Sequence, residues 1–314
     1  MSFAHELKEE ICRIAPTSHE EKIAQAYGLL LFSKNFSSSS VSIQTENEQA
    51  ARLFCSYILE LVGIKTSIIY SEFEKRNGAT VFTASVEAEE DRLNILKFFG
   101  HSDEDIRLHI CKKYIKDEHA VAAFVAGAYL ACGNITDPYK NYHLEFVTQH
   151  MHLCKDLIEL LREVPIELKL TRRRSYYVAY LKDSEEIEDI MTYMGASVCS
   201  ISLMNIKIYK DLRNKVNRVT NCETANIEKT VTAAAAQCDD INYILTTTGE
   251  DFLPDELREL ALLRVENPEM SLREMGEALQ IPMTRSGINH RLKRLSAIAS
   301  ELREGKMHPQ KRRK

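Results

Sequence analysis

The sequence predicts an α+β chain in which a duplicated domain of helices and strands precedes an all-helical domain. Two observations predict this order. The stretches at about 17–100 and 116–195 show the same succession of helical and strand patterns, and the pattern after residue 251 is helical throughout. A length of 314 residues with 44% hydrophobic and 28% charged residues is typical of a soluble globular protein with about two domains.

The first stretch opens with a helix cap and an acidic first turn at 17–21, and an apolar helical pattern continues through Leu31. A serine-rich turn at 37–40 follows. The further predicted elements are a strand at Val41–Thr45, a helix at 46–61, strands at 64–70 and 79–86 joined by an Asn77-Gly78 turn, and a helix at 87–99 that ends at Gly100.

The second stretch repeats this plan. Its predicted elements are a helix from 116 to near Gly133, a strand at 142–148, a helix at 149–163, strands at 166–171 and 175–181, and a helix at 184–194 that ends at Gly195. Three landmark pairs lie at offsets of 99, 103 and 95 residues: Gly28 with Gly127, Thr45 with Thr148, and Gly100 with Gly195. A nearly constant offset indicates a duplicated α-β-α-β-β-α unit in a domain at 1–200, whereas chance similarity of two α+β stretches is the alternative.

The remainder of the chain is predicted to be helical. Residues 201–250 form a basic helical linker, within which 246–249 (TTTG) is the expected connecting segment, and residues 251–305 form a separate domain. In that domain a helix begins at Pro254 and ends at Asn267-Pro268, and a Ser271/Glu274 capping box opens a short helix at 272–279. A turn through Ile281-Pro282 then leads to a basic helix from Arg285 to about Leu302.

A helix, a tight turn and a basic helix are the plan of a DNA-reading helix-turn-helix. Its expected core is Met275, Leu279, Ile281, Ile288, Leu292 and Leu295. The residues expected to reach base edges are Thr284, Arg285, Ser286, Asn289 and His290, and those expected on phosphates are Arg291, Lys293 and Arg294. A two-helix hairpin with a solvated basic face would show the same pattern.

The charge distribution favours double-stranded DNA as the partner of this end. The whole chain has a net charge of -5, which by itself argues against a nucleic-acid coat. The last 31 residues, however, hold ten Lys and Arg against two Glu, so they carry +8 and leave -13 for residues 1–283. The basic tail at 306–314 adds unspecific attraction to phosphates.

The sequence also argues against a membrane-spanning or exported protein and against one built on a zinc site or disulfides. The longest apolar run, 120–132, is shorter than the roughly 20 residues of a membrane helix, and the polar start is no signal peptide, so a cytoplasmic, nucleoid-associated protein is expected. The eight cysteines are widely spaced without a Cys-x-x-Cys pair. Free buried thiols are therefore favoured over a zinc site or disulfides, and neither a metal nor another cofactor is expected.

The segment 125–133 (VAGAYLACG) looks like a LAGLIDADG motif, and 26–34 (AYGLLLFSK) does so more faintly. Its small residues would let two helices pack backbone to backbone between the repeats. In homing endonucleases the penultimate position of each motif is an acid that holds a divalent metal; here these positions are Ser33 and Cys132. Because Mg²⁺ requires carboxylate oxygens, such a nuclease would lack its metal site. A merely buried apolar helix is the alternative for 125–132.

Taken together, these features resemble the WhiA family over nearly the whole chain. The segments that carry the resemblance are 124–131, Asp137-Pro138, 142–146, 213–218, 221–226 and 286–292. The resemblance implies a degenerate homing-endonuclease fold joined to a C-terminal helix-turn-helix. It also implies a DNA-binding transcriptional regulator, not an enzyme, that is linked to cell division, chromosome segregation and, in sporulating relatives, sporulation.

Two further basic groups are candidates for contacts with the DNA backbone. Arg172, Arg173 and Arg174, with Lys169 and Lys182, lie around the hairpin at 166–181, where homing endonucleases form a saddle over DNA. Arg213, Lys215 and Arg218 share a helical stretch. An ordinary solvated hairpin tip and a solvated helix face are equally acceptable interpretations.

Two other functions compete with DNA-dependent regulation. An active endonuclease would need carboxylates at 33 and 132, which are absent. A protein-interaction or ligand-sensing module would use the acidic N-terminal domain to bind another regulatory protein while the C-terminal domain holds DNA. A monomer is favoured, and the target sequence and the direction of regulation stay open.

Overall fold

The computed structural model describes residues 2–65, 67–76, 78–103 and 107–306. It divides into two compact units, Met1–Leu212 and Arg213–Lys314. The boundary falls inside one helix, Ser197–Thr248, so residues 201–248, predicted as a separate linker, are divided between the two units. The basic tail from 307 onward lies outside the described residues.

The first unit contains seven complete helices and eight strands among its described residues. The helices are α1 (Phe3–Arg13), α2 (His19–Leu31), α3 (Glu48–Tyr57), α4 (Glu89–Phe98), α5 (Glu118–Cys132), α6 (Met151–Arg162) and α7 (Ser184–Tyr193), followed by α8 (Ser197–Thr248), which continues into the second unit. The strands are β1 (Asn35–Phe36), β2 (Val41–Thr45), β3 (Ile68–Glu74), β4 (Thr80–Val86), β5 (Gly133–Ile135), β6 (Leu144–Thr148), β7 (Lys169–Arg173) and β8 (Tyr176–Leu181). A π-helical turn, Ile58–Val62, extends α3, and Lys112–Tyr114 is a 3-10 turn.

The predicted duplication is confirmed by the sheet topology. Two four-stranded antiparallel sheets have the orders β1-β2-β4-β3 and β5-β6-β8-β7, which are the same order shifted by one repeat. The repeating unit is α-β-β-α-β-β-α, with one strand more than predicted. The additional strands, β1 and β5, are two and three residues long, too short to show a recognisable alternation.

Two predicted strands begin later than expected, because β3 and β7 start at Ile68 and Lys169 rather than at 64 and 166. The apolar residues that suggested the earlier starts, Ile64, Ile166 and Leu168, are buried core side chains of the segments before the strands. Asn77 of the predicted turn lies outside the described residues, whereas Gly78 adopts a positive φ of 79° that favours glycine.

The first helix, α1, is missing from the sequence prediction. Ser2 caps it by accepting the His5 N–H, and Leu7 and Ile11 are fully buried in the core of the first unit. Leu7 and Ile11 lie one turn apart on the buried face of an otherwise polar helix, which is an amphipathic pattern. The signal for this helix is therefore present in the segment that was expected only to be polar.

The two motif helices, α2 and α5, pack backbone to backbone in the centre of the first unit. A Cβ atom added to Gly28 would lie 2.1 Å from the carbonyl oxygen of Phe124, and one added to Gly127 would lie 2.0 Å from that of Gln25. Both distances are far inside van der Waals contact, so glycine is required at both positions. The prediction that small residues permit this approach is confirmed.

The second unit is all-helical in its described part, as predicted. The last part of α8 contributes Ile241 and Ile244 to its core. The helix continues to Thr248 and ends at Gly249, which has a φ of 81°, so most of the connecting segment predicted at 246–249 is helical. A 3-10 turn (Glu250–Phe252) then leads to α9 (Asp255–Glu266), α10 (Leu272–Ala278) and α11 (Arg285–Arg303), close to the predicted bounds.

Replacing Gly127 by alanine should destabilise the first unit by at least the roughly 1–3 kcal/mol typical of core overpacking, because the new methyl group meets backbone atoms that cannot rotate away. Chemical denaturation followed by circular dichroism measures the loss. Gly249→Ala is the control: nothing lies within 4 Å of its Cβ position, so only the positive φ opposes the change. Equal losses in the two variants would contradict the close-packing argument.

Candidate nucleic-acid interface

The helix-turn-helix is formed by α10 and α11, with α9 packed against both. Five of the six predicted core residues are buried, namely Met275, Leu279, Ile288, Leu292 and Leu295. The sixth prediction is wrong, because Ile281 is 79% exposed. Leu279 leaves α10 in an extended conformation and fills the core, and the Gln280 N–H donates to the Glu259 carboxylate, so the chain turns outward before Ile281.

The turn is held against α10 at a glycine. The Met283 N–H donates to the Gly276 carbonyl oxygen at 2.9 Å. A Cβ atom on Gly276 would lie 2.2 Å from the Met283 carbonyl oxygen, so the turn approaches α10 more closely than any other residue type would allow. This contact determines where α11 begins relative to α10.

Thr284 is the N-cap of α11. Its hydroxyl oxygen accepts the Gly287 N–H at 3.3 Å, and its backbone is extended, as is usual for a capping residue. Thr284 was predicted to contact a base, and the structure gives its hydroxyl a role in starting the helix that carries the other predicted residues.

Beyond the cap, α11 has two opposite faces. Its buried face carries Ile288, Leu292, Leu295, Ala299 and Leu302. Six predicted DNA-binding residues are exposed on the other side, in two adjacent rows with a spacing of four residues: Arg285, Asn289 and Lys293 in one, and Ser286, His290 and Arg294 in the other. The structure therefore brings these six side chains together on one solvent-facing surface, which is here named the α11 face.

Arg291 differs from these residues. Its guanidinium donates to the Glu256 carbonyl oxygen at 3.2 Å and forms a 3.1 Å ion pair with the Glu256 carboxylate. Its side chain is only 24% exposed and fastens α11 to the first turn of α9. The predicted phosphate contact thus has an internal partner, which a linear pattern of basic residues cannot reveal.

A second internal arginine, Arg264 on α9, was not singled out in the sequence. It is 2% exposed and donates to the Gln237 side-chain oxygen at 3.1 Å and to the Met270 carbonyl oxygen at 2.7 Å. Burial lowers the pKa of its guanidinium. These hydrogen bonds link α9 to α8 and to the segment before α10, so Arg264 supports the helix-turn-helix from inside.

The basic hairpin of the second sheet is partly neutralised by the sheet itself. Arg173 forms a 2.9 Å ion pair with Glu145, whose carboxylate also accepts from His143. The strand register places Arg173 on the same face as Glu145. Arg172 lies over the Tyr177 ring at 5.5 Å and donates to the Arg174 carbonyl oxygen.

Three other predicted backbone contacts lie on α8. Arg213, Lys215 and Arg218 are all exposed and fall in the second unit. The two predicted groups therefore belong to different units, one to a hairpin of the first unit and one to a helix of the second.

The degenerate motif positions do not fit a divalent metal. The Ser33 hydroxyl donates to the Leu29 carbonyl oxygen of its own helix at 2.5 Å. Burial raises the pKa of the Cys132 thiol to about 12, so the thiol is neutral at physiological pH. Neither group offers the anionic oxygen that Mg²⁺ requires. Among the described residues, no three His, Cys, Asp or Glu side chains are grouped so as to hold a metal ion.

All eight cysteines are free thiols, as predicted, but the expectation that they are buried holds only for Cys154 and Cys199; Cys222 is exposed and the other five are partly exposed. None of the described helices combines the length and the apolar composition needed to cross a membrane.

Comparisons with known proteins agree with this architecture. The family model of the WhiA C-terminal HTH domain matches residues 216–299, and that of the WhiA LAGLIDADG-like domain matches residues 121–213. The fold and the site thus define a protein that joins a LAGLIDADG-like domain to a helix-turn-helix domain. The match to the crystal structure of full-length DUF199/WhiA from Thermatoga maritima supports the fold, with a TM-score of 0.57, 23% identity and coverage of 96% of this chain and 99% of that one.

Curated relatives establish the family. The "Probable cell division protein WhiA" of Thermoanaerobacter pseudethanolicus (strain ATCC 33223 / 39E) is 38% identical over 97% of this chain and 99% of its own length. The protein of the same name from Clostridium botulinum (strain Hall) is 37% identical over 97% of this chain and all of its own length. The chain belongs to the WhiA family.

Replacing Arg264 by methionine should destabilise the second unit by about 1–3 kcal/mol, because the change leaves buried carbonyl and amide oxygens without their donor. Thermal melting followed by circular dichroism measures the effect. Arg273→Met is the matched control, since Arg273 is exposed and pairs only with Glu277 one turn away. An Arg264→Met variant as stable as the Arg273→Met variant would contradict the structural role.

Proposed function

We propose that this protein is a DNA-binding regulator of cell division that reads double-stranded DNA with the α11 face. The observation that carries the proposal is the set of six exposed polar and basic side chains in two rows on a helix whose opposite side is buried in the core. Arginine can pair in a bidentate manner with guanine and asparagine with adenine. Arg285 and Asn289, one turn apart in the first half of α11, are the proposed base-reading pair.

The charge distribution supports a DNA contact that is local to the second unit. Residues 1–212 hold 24 Lys and Arg against 31 Asp and Glu, a net charge of -7. The segment 284–314 carries +8. Because phosphate contacts account for most unspecific affinity, the basic segment attracts the duplex while the first unit as a whole repels it.

The first unit contributes little to DNA binding in this proposal, and it is not an enzyme. Glu145 places a carboxylate beside Arg173 on the open face of the second sheet, so this face offers phosphates a weaker attraction than the sequence of the hairpin suggests. Arg172 and Arg174 at the hairpin, with Arg213, Lys215 and Arg218 on α8, are proposed as secondary contacts to the DNA backbone. Ser33 and Cys132, which stand where homing endonucleases have metal-binding acids, support a function without metal-dependent cleavage.

The biological setting follows from the family. Relatives carry the name of a probable cell division protein, and we extend that role to this chain as transcriptional regulation connected with chromosome segregation and, in spore-forming hosts, sporulation. Binding to chromosomal DNA places the protein at the nucleoid in the cytoplasm. The acidic first unit favours a second function as the docking surface of a regulatory protein.

Replacing Arg285 and Asn289 by alanine should raise the Kd for a preferred duplex at least about tenfold, because each bidentate base contact contributes about 1–3 kcal/mol to discrimination. The duplex is selected from a random pool with the full chain, and binding is measured by fluorescence anisotropy. A double variant with alanine at Arg162 and Asn94, both exposed on the first unit, is the matched control and should bind normally. Unchanged affinity in the Arg285/Asn289 variant would contradict the proposal.

The salt dependence of binding should separate Lys293 from Arg291. Lys293→Ala should reduce the slope of log Kd against log salt by about 1. An exposed lysine on the α11 face neutralises one phosphate, and its loss means that about one counterion fewer is released on binding. Arg291→Ala should leave that slope unchanged, since its guanidinium is held by Glu256. If Arg291→Ala lowers the slope as much as Lys293→Ala does, Arg291 contacts phosphate after all.

A further inference from the structure

The C-terminal end of α5 carries a lysine that comes from outside the repeat. Lys8 lies on α1, which precedes the first repeat and packs against α3, α5 and β5. The Lys8 ammonium donates to the Leu130 carbonyl oxygen at 3.2 Å, and it lies 5.9 Å from the centre of the Tyr129 ring. Leu130 is two residues before Cys132, the degenerate position of the second motif.

This hydrogen bond satisfies a group that the helix leaves without a partner. The last four carbonyl oxygens of an α-helix have no N–H donor within the helix, and they form the negative end of the helix dipole. The Gly133 N–H donates to the Tyr129 carbonyl oxygen, and the Lys8 ammonium donates to the Leu130 carbonyl oxygen. Lys8 therefore places a cationic group on the end of the motif helix, where an incoming cation would otherwise be attracted.

The carbonyl oxygens near the ends of the two motif helices accept hydrogen bonds from different kinds of donor. At the end of α2 the Ser33 hydroxyl donates to the Leu29 carbonyl oxygen, which is a neutral contact within one helix. At the end of α5 the donor is an ammonium group from another element. Burial lowers the pKa of Lys8, and the negative charge of Glu46 opposes that shift.

We propose that Lys8 is a built-in counter-cation of the second motif: its ammonium occupies the electrostatic role that a bound divalent metal has at the motif ends of homing endonucleases. Two independent features therefore prevent a metal ion from binding at the motif ends. One is the absence of acids at positions 33 and 132, and the other is the presence of Lys8. A carboxylate restored at position 132 would form an ion pair with Lys8 instead of a metal site.

Terbium binding tests this proposal, since Tb³⁺ is a hard, oxygen-seeking cation and its luminescence is sensitised by tyrosine. The chain has 13 Tyr and no Trp, and Tyr129 lies beside Lys8. Ser33→Asp/Cys132→Asp in the full chain should show no more sensitised luminescence than the parent. Adding Lys8→Gln, which retains an N–H donor for the Leu130 carbonyl oxygen, should increase the Tb³⁺ affinity at least tenfold.

Lys22→Met in the Ser33→Asp/Cys132→Asp background is the control, because it removes one positive charge from the first unit at its ion pair with Glu60. It should not increase Tb³⁺ affinity. The proposal is overturned if the two acids alone bind Tb³⁺ as tightly as the variant that also lacks Lys8. It is equally overturned if removal of Lys8 brings no binding in a folded protein.

A melting experiment keeps the proposal testable if the triple variant does not fold. Cys132→Asp should lower the Tm less in a chain with Lys8 than in one with Lys8→Gln, because the introduced carboxylate pairs with the ammonium group. Equal losses of Tm in the two backgrounds would show that Lys8 exerts no charge on position 132 and would overturn the proposal.

Discussion

The first unit depends on one steric constraint, the backbone contact between α2 and α5. At Gly28 and Gly127 there is no space for even a methyl group, because carbonyl oxygens of the facing helix lie about 2 Å from each Cβ position. Such a contact places the two repeats on either side of a shared helix pair and lets each helix cover one sheet. The sheets then have the same strand order, and their cores join into a single cluster of buried residues.

The same constraint concerns only part of each motif. Helix packing requires the glycines and the small residues, whereas the residues at the motif ends do not take part in this contact. In this chain both ends are satisfied by internal donors, the Ser33 hydroxyl at Leu29 and the Lys8 ammonium at Leu130. Helix packing and the chemistry of the motif ends are therefore independent of each other, because different residues of the same motif determine them.

In the second unit, burial determines what each arginine does. Arg264 is enclosed and bonded to neutral oxygens, Arg291 is held by Glu256 at the edge of the buried face, and Arg285 is exposed. A cationic side chain can serve a phosphate or a base only if no internal group holds it. Under the proposed function, the α11 face and the negative charge of the first unit make DNA recognition a local property of the second unit.

Periodicity, glycine positions and charge by region were sufficient to predict the duplicated α+β domain, the helix-turn-helix and the six residues of the α11 face, because these features are local and recur at helical or strand spacing. The short strands β1 and β5, the helix α1 and the exposure of Ile281 did not follow from local pattern. Their conformations depend on partners far along the chain, as does the pairing of Arg291 with Glu256 and of Lys8 with Leu130. The sequence by itself determined the fold class and the charged face of α11. Only the tertiary structure decided which charged side chains are held internally, since that depends on contacts between residues up to 189 positions apart, as between Glu10 and Cys199.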